Sequence, residues 1–423
     1  MTTATARRLI PTAPRRAPGP RAAGLAILSL SVGGFTIGTT EFVTMGLLPD
    51  MADGVGVSIP QAGHVISAYA LGVVVGAPVI ALLAARLPRK GLLLALMAAY
   101  ALANLGTAIA PSYLSLTASR FVAGLPHGAY FGVASLVAAS LVAPERKGRA
   151  VSQVVLGLWV ANMLGVPAAA WLGQTAGWRT AYGLVAALGL LTLALVLTFV
   201  PRAAGDPDAT GGRELGAFRR SQVWLTLLIG AVGFGGMFAM YSYIAPTITD
   251  VTGLSSSTVP LYLFAFGLGG FLGTTIGGIA ADWSVLRSMM VANVAMGLSL
   301  VAFALTAGSP VLAWFAVVLV SAVGAVMAVT LQLRLMQVAG DAQTMGAAMN
   351  HASLNVANAL GAWLGGLVIA AGLGYTAPSW AGAALSVAGL AALGLSLLVH
   401  RRDTRAPVAQ PQPEAAYSSA STS

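Results

Sequence analysis

The sequence consists of long apolar stretches separated by short polar breaks. A helix needs about 20 consecutive, mostly apolar residues to cross the hydrocarbon core of a bilayer. Twelve stretches meet this requirement, and we predict one span in each, numbered 1 to 12 in chain order: 24–48, 59–85, 91–110, 112–142, 148–173, 178–200, 221–248, 257–281, 288–307, 310–336, 343–371 and 377–399. With only 8% charged residues, the chain does not resemble a soluble domain, in which about a quarter are charged. We therefore predict an all-α membrane protein.

Basic residues are unevenly distributed between the two sides of these spans. Of the 22 Lys and Arg residues, all but Arg120 and Arg179 lie in the tails, in the breaks that follow even-numbered spans, or at the ends of such spans. Cytoplasmic loops carry an excess of Lys and Arg. This pattern predicts that both termini are cytoplasmic, and it explains the net charge of +10 without a nucleic-acid partner.

The residues needed for most kinds of enzyme are missing from the sequence. The chain has no Cys, which excludes disulfides and thiolate metal sites, and its four His residues lack metal-ligand spacing. We find no phosphate-binding loop, paired carboxylates or nucleophile–base set. We therefore expect no enzyme activity, no metal and no cofactor.

Three pairs of short motifs indicate an internal repeat. Residues 160–165 (VANMLG) match residues 356–361 (VANALG) at an offset of 196, and two further matches, at Pro49 with Asp53 and at Gly177, have an offset of 197. The polar segment 201–220 would then link two six-helix bundles, 24–200 and 221–400, with disordered cytoplasmic tails at 1–23 and 401–423. Two parallel repeats with a site near the midplane between them are typical of transporters.

Two charged residues inside predicted spans have no counterpart in the other half. Glu41 in span 1 corresponds to Phe238, and Arg120 in span 4 corresponds to Val317. Each lies eight residues from the same end of its span, which is about 12 Å of helix. Charged side chains are costly in a bilayer and usually have a function there. The alternative is a structural ion pair that fixes span 1 against span 4.

Several stretches resemble the major facilitator superfamily, in particular the twelve-span drug:proton antiporter branch with its arabinose-type sugar efflux and chloramphenicol efflux permeases. The resemblance covers spans 1 to 12. Its most specific stretches are 40–49 (TEFVTMGLLP), 58–64 (SIPQAGH), 72–78 (GVVVGAP), 120–129 (RFVAGLPHGA) and 160–167 (VANMLGVP). It implies the major facilitator fold, with the span 1 acid and the span 4 arginine linked to proton coupling and substrate charge. Loss of hydration favours a neutral carboxyl group, whereas a nearby Arg favours the ionised form.

The resemblance also implies residues that control gating. The loop after span 2 keeps the basic residues of the family motif but has Ala85 in place of its acid, which argues against a charged latch in the N-terminal half. If the chain has such a latch, we place it in the equivalent loop after span 8. The antiporter-type Gly/Pro motif of span 5 would permit a close, bent helix contact; an ordinary helix kink is the alternative. The gating candidates are Arg86, Arg89, Lys90, Gly157, Gly165, Pro167, Asp282 and Arg287.

Other candidates are one histidine, an aromatic stripe and several amides. His127 lies on the same helical face as Arg120 and could relay protons or contact substrate, although a hydrogen-bonded neutral His is as plausible; His64 and His351 look like packing or capping residues. A stripe in span 7 is either core packing or a cavity wall: Phe234, Met237, Phe238 and Tyr241. Asn355 in span 11 could add a polar contact to the cavity, whereas for Asn162 and Asn358 we favour helix–helix hydrogen bonds.

Together these features predict a secondary active transporter of the inner membrane. We expect it to export a small organic molecule, drug-like or sugar-like, by proton antiport and alternating access. A proton-coupled importer or a uniporter is the alternative, and the sequence does not specify the substrate. We expect a monomer in membrane lipid, with the substrate and protons as its partners.

Overall fold

The computed structural model describes residues 19–84, 87–143, 146–202, 219–340 and 343–405. Most of the predicted tails and linker lie outside these ranges, as does Arg86. Within them every regular element is helical, and eleven helices are long and apolar enough to cross a membrane. One of these contains two spans, which gives the twelve passes that the sequence predicts.

The first six spans occupy the N-terminal half of the chain. Span 1 is Pro20–Gly46 and is followed by a short helix, Leu48–Val55. Spans 2, 3, 4 and 6 are Ile59–Ala84, Arg89–Ala108, Tyr113–Ser140 and Trp178–Phe199. Span 5 has three parts: helix Lys147–Val160, a π-helical turn Ala161–Gly165 and helix Val166–Ala176.

The remaining spans form the C-terminal half. Span 7 is interrupted and consists of Ser221–Gly233, Gly235–Ser242, Ile244–Pro246 and a π-helical turn, Thr247–Val251. Spans 8 and 9 form one element, Val259–Thr306. Spans 10, 11 and 12 are Pro310–Ala339, Gln343–Ala370 and Ala377–Arg405.

Spans 8 and 9 are joined without the loop that the sequence predicts. The backbone leaves helical geometry at Ser284 (φ −172°, ψ 116°), and Ser288 Oγ donates a hydrogen bond of 2.6 Å across the break to Ala280 O. Thr252 Oγ1 donates to Ala307 O at 2.8 Å, so the residues before span 8 lie beside the end of span 9. The chain therefore reverses direction around Ser284, and the element contains two passes.

Helix ends fall into two groups, which we call the termini side, where span 1 begins and span 12 ends, and the far side. On the termini side, Lys90 Nζ at the start of span 3 donates to Leu197 O near the end of span 6 at 2.7 Å. On the far side, Arg179 Nη2 at the start of span 6 donates to Ala110 O after span 3 at 2.9 Å. Successive spans therefore run antiparallel.

Glycines allow neighbouring spans to approach closely. A Cβ on Gly72 of span 2 would overlap Phe121 O of span 4, and a Cβ on Gly157 of span 5 would overlap Ser31 O of span 1. Small residues at such positions let helix backbones approach in a membrane, where dispersion contacts replace the hydrophobic effect as the main attraction. Span 1, which carries Glu41, is held against span 5 in this way.

The two halves are in contact in their far-side portions. Ser67 Oγ of span 2 donates a hydrogen bond of 3.0 Å to Ala359 O of span 11. A Cβ on Gly267 of span 8 would overlap the backbone at Asn162 in the π-helical turn of span 5. Leu263 of span 8 packs close to Gly46 at the end of span 1. The far side of the interface between the halves is therefore closed.

Candidate functional site

Glu41 lies where span 1 is surrounded by protein on every side. Every residue from 36 to 48 is buried, as is every residue from 233 to 248 in span 7. Glu41 itself is 7% exposed. The hydroxyl groups of Thr36 and Thr40 donate to carbonyls one turn earlier in their own helix. The Glu41 carboxyl group forms no hydrogen bond with any residue that the structure describes.

Arg120 of span 4 reaches the backbone of span 1 beside Glu41. Its guanidinium group is fully buried, and Nη2 donates a hydrogen bond of 3.3 Å to Thr40 O. Its Nε and Nη1 groups have no partner among the described residues. The charges of Arg120 and Glu41 interact, but no N–O distance between them is within the 4.0 Å of an ion pair. The structure thus brings together the two residues that the sequence singled out, without pairing them.

Aromatic rings surround the Arg120 guanidinium group. Its central carbon lies 4.2 Å from the ring centroid of Tyr69 in span 2 and 5.3 Å from that of Tyr182 in span 6. A cation over an aromatic ring is stabilised by about 0.5–2 kcal/mol, with the larger values at desolvated sites. The Tyr182 hydroxyl in turn bonds Thr44 Oγ1 at 2.6 Å, one turn after Glu41 in span 1. Spans 1, 2, 4 and 6 therefore all contribute to this centre.

His127 is connected to the same centre through tyrosine hydroxyls. Its Nδ1 lies 2.9 Å from the Tyr69 hydroxyl, which lies 3.5 Å from the Tyr100 hydroxyl. Tyr100 donates to Ile37 O of span 1 at 3.4 Å. Neither tyrosine was predicted from the sequence to belong to the site. The sequence does contain a hint of their role, because a tyrosine inside an apolar span needs a hydrogen-bond partner for its hydroxyl group.

His127 also belongs to a set of rings that joins the two halves. Its imidazole centroid lies 5.5 Å from that of Phe131, which is stacked on His351 of span 11 at 5.7 Å and 5°. We call His127, Phe131 and His351 the imidazole stack. It lies closer to the termini side than Glu41. His351, which we expected to be a local packing residue, contacts the opposite half.

A second set of rings closes the interface near the far side. Phe42 of span 1 lies 6.5 Å from Phe238, 6.1 Å from Tyr241 and 6.0 Å from Phe266 of span 8, and Tyr241 is stacked on Phe266 at 3.6 Å. We call these four residues the far-side cluster. They are all buried. Phe238, the repeat counterpart of Glu41, therefore packs against the residue that follows Glu41.

The other aromatic-stripe and amide candidates are also buried. Phe234 packs on Phe238 at 5.7 Å, and Met237 points towards Gly324 of span 10. Asn355 donates to His351 O in its own helix at 3.0 Å, and its Oδ1 has no partner among the described residues. Asn162 donates to Leu158 O of its own helix, and neither amide atom of Asn358 has a described partner. Within the described part of the chain, the helix–helix hydrogen bonds that we expected for Asn162 and Asn358 are thus not formed.

The span 5 candidates pack against span 1. A Cβ on Gly165 would overlap the side chains of Thr39 and Phe35. The π-helical turn ends at Gly165, two residues before Pro167. Because proline has no backbone N–H and its ring clashes with the preceding turn, it disturbs regular α-helical bonding there. The regular α-helical hydrogen bonding of span 5 is therefore interrupted where this span touches the helix that carries Glu41.

The charged gating candidates lie on the termini side and are not brought together. Lys90 bonds Leu197 O, and Arg89 begins span 3. Asp282 and Arg287 flank the reversal between spans 8 and 9 and are both exposed. The Arg287 guanidinium carbon lies 5.7 Å from the Trp283 ring. Among the described residues Asp282 has no ion pair, so the structure shows no latch of the kind expected there.

Comparisons with known proteins give a consistent picture. The model of the Major Facilitator Superfamily matches residues 30–350. The inner membrane transport protein YdhP of Escherichia coli (strain K12) is 41% identical over 87% of this chain and 94% of its own length. The putative transporter AraJ of the same strain is 35% identical over 87% and 93%. A chloramphenicol resistance protein of Streptomyces lividans is 35% identical over 84% and 92%.

Solved structures share the fold at low sequence identity. The D-xylose–proton symporter has a TM-score of 0.72, covers 88% of this chain and 97% of its own, and is 16% identical. A bacterial homologue of the human lysosomal transporter Spinster, inward-facing and unoccupied, has a TM-score of 0.66 over 92% and 98%, also at 16% identity. At this identity the likeness concerns the fold alone.

Proposed function

The chain belongs to the major facilitator superfamily, and on this premise we propose that it exports a small organic molecule in exchange for protons. It is a multi-pass membrane transporter and not an enzyme. The observation that carries the proposal is the centre formed by Glu41 and Arg120, which are buried close together inside the membrane without an ion pair.

This centre is suited to respond to protons. A carboxyl group without hydrogen-bond partners is neutral when it is dry, and it ionises when water or a positive charge stabilises it. Arg120 supplies a charge next to Glu41 and has unpaired Nε and Nη1 donors. When Glu41 ionises, these donors can bind its carboxylate; when Glu41 is protonated, they are available to an acceptor group of the substrate. Proton and substrate thereby compete for one cation.

Alternating access would occur by rocking of the two halves about this centre. The far-side cluster and the Ser67–Ala359 hydrogen bond hold the far side closed. Opening it requires the rings of spans 1, 7 and 8 to separate. We propose that the irregular part of span 5, with the close packing of Gly157 and Gly165 and with Pro167, permits this movement. Arg89, Lys90, Asp282 and Arg287 would then act on the termini side in other states of the cycle.

The names of similar proteins support the proposed substrate class and the proposed direction of transport. These include a chloramphenicol resistance protein and a probable sugar efflux transporter of Helicobacter pylori, which favours export of a drug-like or sugar-like molecule. Phe234, Met237, Phe238 and Tyr241 would become a cavity wall for such a molecule once the far side opens, with Asn355 as a polar contact. The termini would lie in the cytoplasm, and the protein would act as a monomer in lipid.

Transport in liposomes tests the proposal. Purified protein is reconstituted, a pH gradient is imposed, and labelled chloramphenicol and L-arabinose are followed. We expect proton-driven movement of at least one of them, and its loss in Glu41→Gln and Arg120→Gln. Asp53→Asn and Arg179→Gln are matched controls, because both residues lie on the far side, outside the buried centre. They should transport normally.

The results that would contradict the proposal are specific. Normal gradient-driven transport by Glu41→Gln at every pH excludes Glu41 as the proton site. Transport down a substrate gradient that is indifferent to the pH gradient indicates a uniporter. Accumulation in the same direction as the proton flow indicates an importer of the symport type.

A further inference from the structure

Tyr69 of span 2 is the residue that touches both Arg120 and His127. Its ring lies under the Arg120 guanidinium group at 4.2 Å, and its hydroxyl is 2.9 Å from His127 Nδ1. The side chain is 1% exposed. One side chain thus contacts two of the three residues proposed for proton coupling.

Other buried tyrosines of this chain have simpler surroundings. The Tyr130 hydroxyl donates to Leu30 O at 3.0 Å, and that of Tyr243 donates to Ala362 O at 2.7 Å. Each ties two helices together through a backbone carbonyl, which is a packing role. Tyr69 instead directs its two polar features, the ring face and the hydroxyl, at ionisable side chains. Its contacts are therefore those of a site residue.

The ring of Tyr69 is a principal restraint on Arg120. The guanidinium group has one described hydrogen bond, of 3.3 Å, to Thr40 O, and its other nitrogens are unpaired. Of the two rings beside it, that of Tyr69 is the nearer. Because a cation–π contact at a desolvated site is worth about as much as a hydrogen bond, removing the ring should allow Arg120 to move away from Glu41.

Span 2 also forms part of the contact between the halves. Ser67, two residues before Tyr69, donates to Ala359 O of span 11. Tyr69 therefore lies between the contact of the two halves and the charged centre.

From this geometry we propose that Tyr69 is a positioning residue of the proton site, whose ring holds Arg120 near Glu41 and whose hydroxyl orients His127. The inference rests on the proposed function, because it takes Glu41 as the group that binds the proton. It adds a role for span 2, which contributes no charged residue to the centre.

Infrared spectroscopy of the full-length protein in liposomes tests this role. The carbonyl band of protonated Glu41 is identified by its loss in Glu41→Gln and followed as the pH is varied. In Tyr69→Leu we expect the titration of this band to move by about 1 pH unit towards higher pH, since a freed Arg120 stabilises the carboxylate less. Tyr69→Phe keeps the ring and should move it by less than about a third of that. Tyr130→Phe, a matched loss of a buried hydroxyl, should not move it.

The hydroxyl is tested in Tyr69→Phe, which is the milder variant. With ¹⁵N-labelled histidine, the NMR signal of His127 is assigned by its loss in His127→Asn. We expect this signal to change in Tyr69→Phe and to stay unchanged in Tyr130→Phe. This measurement remains decisive if Tyr69→Leu does not fold, because an unchanged His127 signal overturns the proposed link.

The outcomes separate this inference from the proposed function. If Glu41→Gln removes no titrating band, Glu41 is not the proton site, and both proposals fail. If the band titrates but Tyr69→Leu leaves its titration in place while lowering the melting temperature, Tyr69 has a packing role only. A shift of similar size in Tyr69→Phe and Tyr130→Phe also overturns the positioning role, because it reflects general loosening of the half.

Discussion

Removing the Ser67 hydroxyl should make the far side open more often. Ser67 Oγ donates to Ala359 O across the interface between the halves at 3.0 Å, and this bond is lost when the far side opens. A hydrogen bond of this kind contributes about 1 kcal/mol net. In Ser67→Ala the closed state loses this contribution, so the ratio of open to closed molecules should rise about fivefold.

Cysteine labelling can measure this ratio, because the chain contains no Cys. Leu263 is fully buried beside Gly46 in the far-side contact, so Leu263→Cys reports opening. Purified protein is treated with a water-soluble maleimide in detergent, and the labelled fraction is followed by mass spectrometry. If labelling is slower than closing, its rate follows the open population. We expect an approximately fivefold faster rate in Ser67→Ala.

A serine within one half provides the matched control. Ser353 is 3% exposed, and its hydroxyl donates to Leu227 O at 2.8 Å, between two helices of the C-terminal half. Ser353→Ala removes a similar hydrogen bond without crossing the interface and should leave the labelling rate unchanged. Equal acceleration in both variants, or none in Ser67→Ala, would refute the reasoning, since opening would then not involve this interface.

Two further predictions concern the imidazole stack and the orientation of the chain. Phe131→His places three imidazoles at the contact between spans 4 and 11, so zinc should raise the melting temperature, followed by Trp fluorescence, by roughly 5–10 °C. The zinc effect should vanish when His351→Ala is added. If it persists, zinc binds without a ligand from span 11, which contradicts the contact between the halves at this position. In intact cells an impermeant maleimide should label Asp53→Cys on the far side and spare Leu87→Cys on the termini side. The reverse result would invert the proposed topology.

The passes of the fold could be predicted from the sequence because each requires a long apolar stretch. The predicted connection between spans 8 and 9 was wrong in detail, since we expected separate helices, one ending at 281 and the other starting at 288. The chain reverses at Ser284 with one non-helical residue, and a single such residue cannot be recognised from the hydropathy of the sequence. The interruptions of span 7 at Phe234 and Tyr243 were also missed, because both residues lie within one apolar stretch.

The candidate site could be predicted in part. Glu41 and Arg120 were identifiable because a charge in an apolar stretch is rare. Their counterparts in the other half, Phe238 and Val317, are uncharged. That they approach without pairing depends on side-chain positions, which helix spacing does not give. Tyr69 and His351 were overlooked because their importance comes from contacts with other spans. Asp282 illustrates the opposite case, in which a matching motif does not imply a matching contact.

The direct connection of spans 8 and 9 has a mechanical consequence. Span 8 carries Leu263 and Phe266 on the closed interface, and only a short connection around Ser284 separates it from span 9. When the far side opens, span 9 therefore has to move together with span 8. Span 5, which faces span 8 from the other half, contains the π-helical turn Ala161–Gly165. The two helices in contact across the interface thus differ: a short connection ties span 8 to its neighbour, whereas span 5 is irregular at the contact itself.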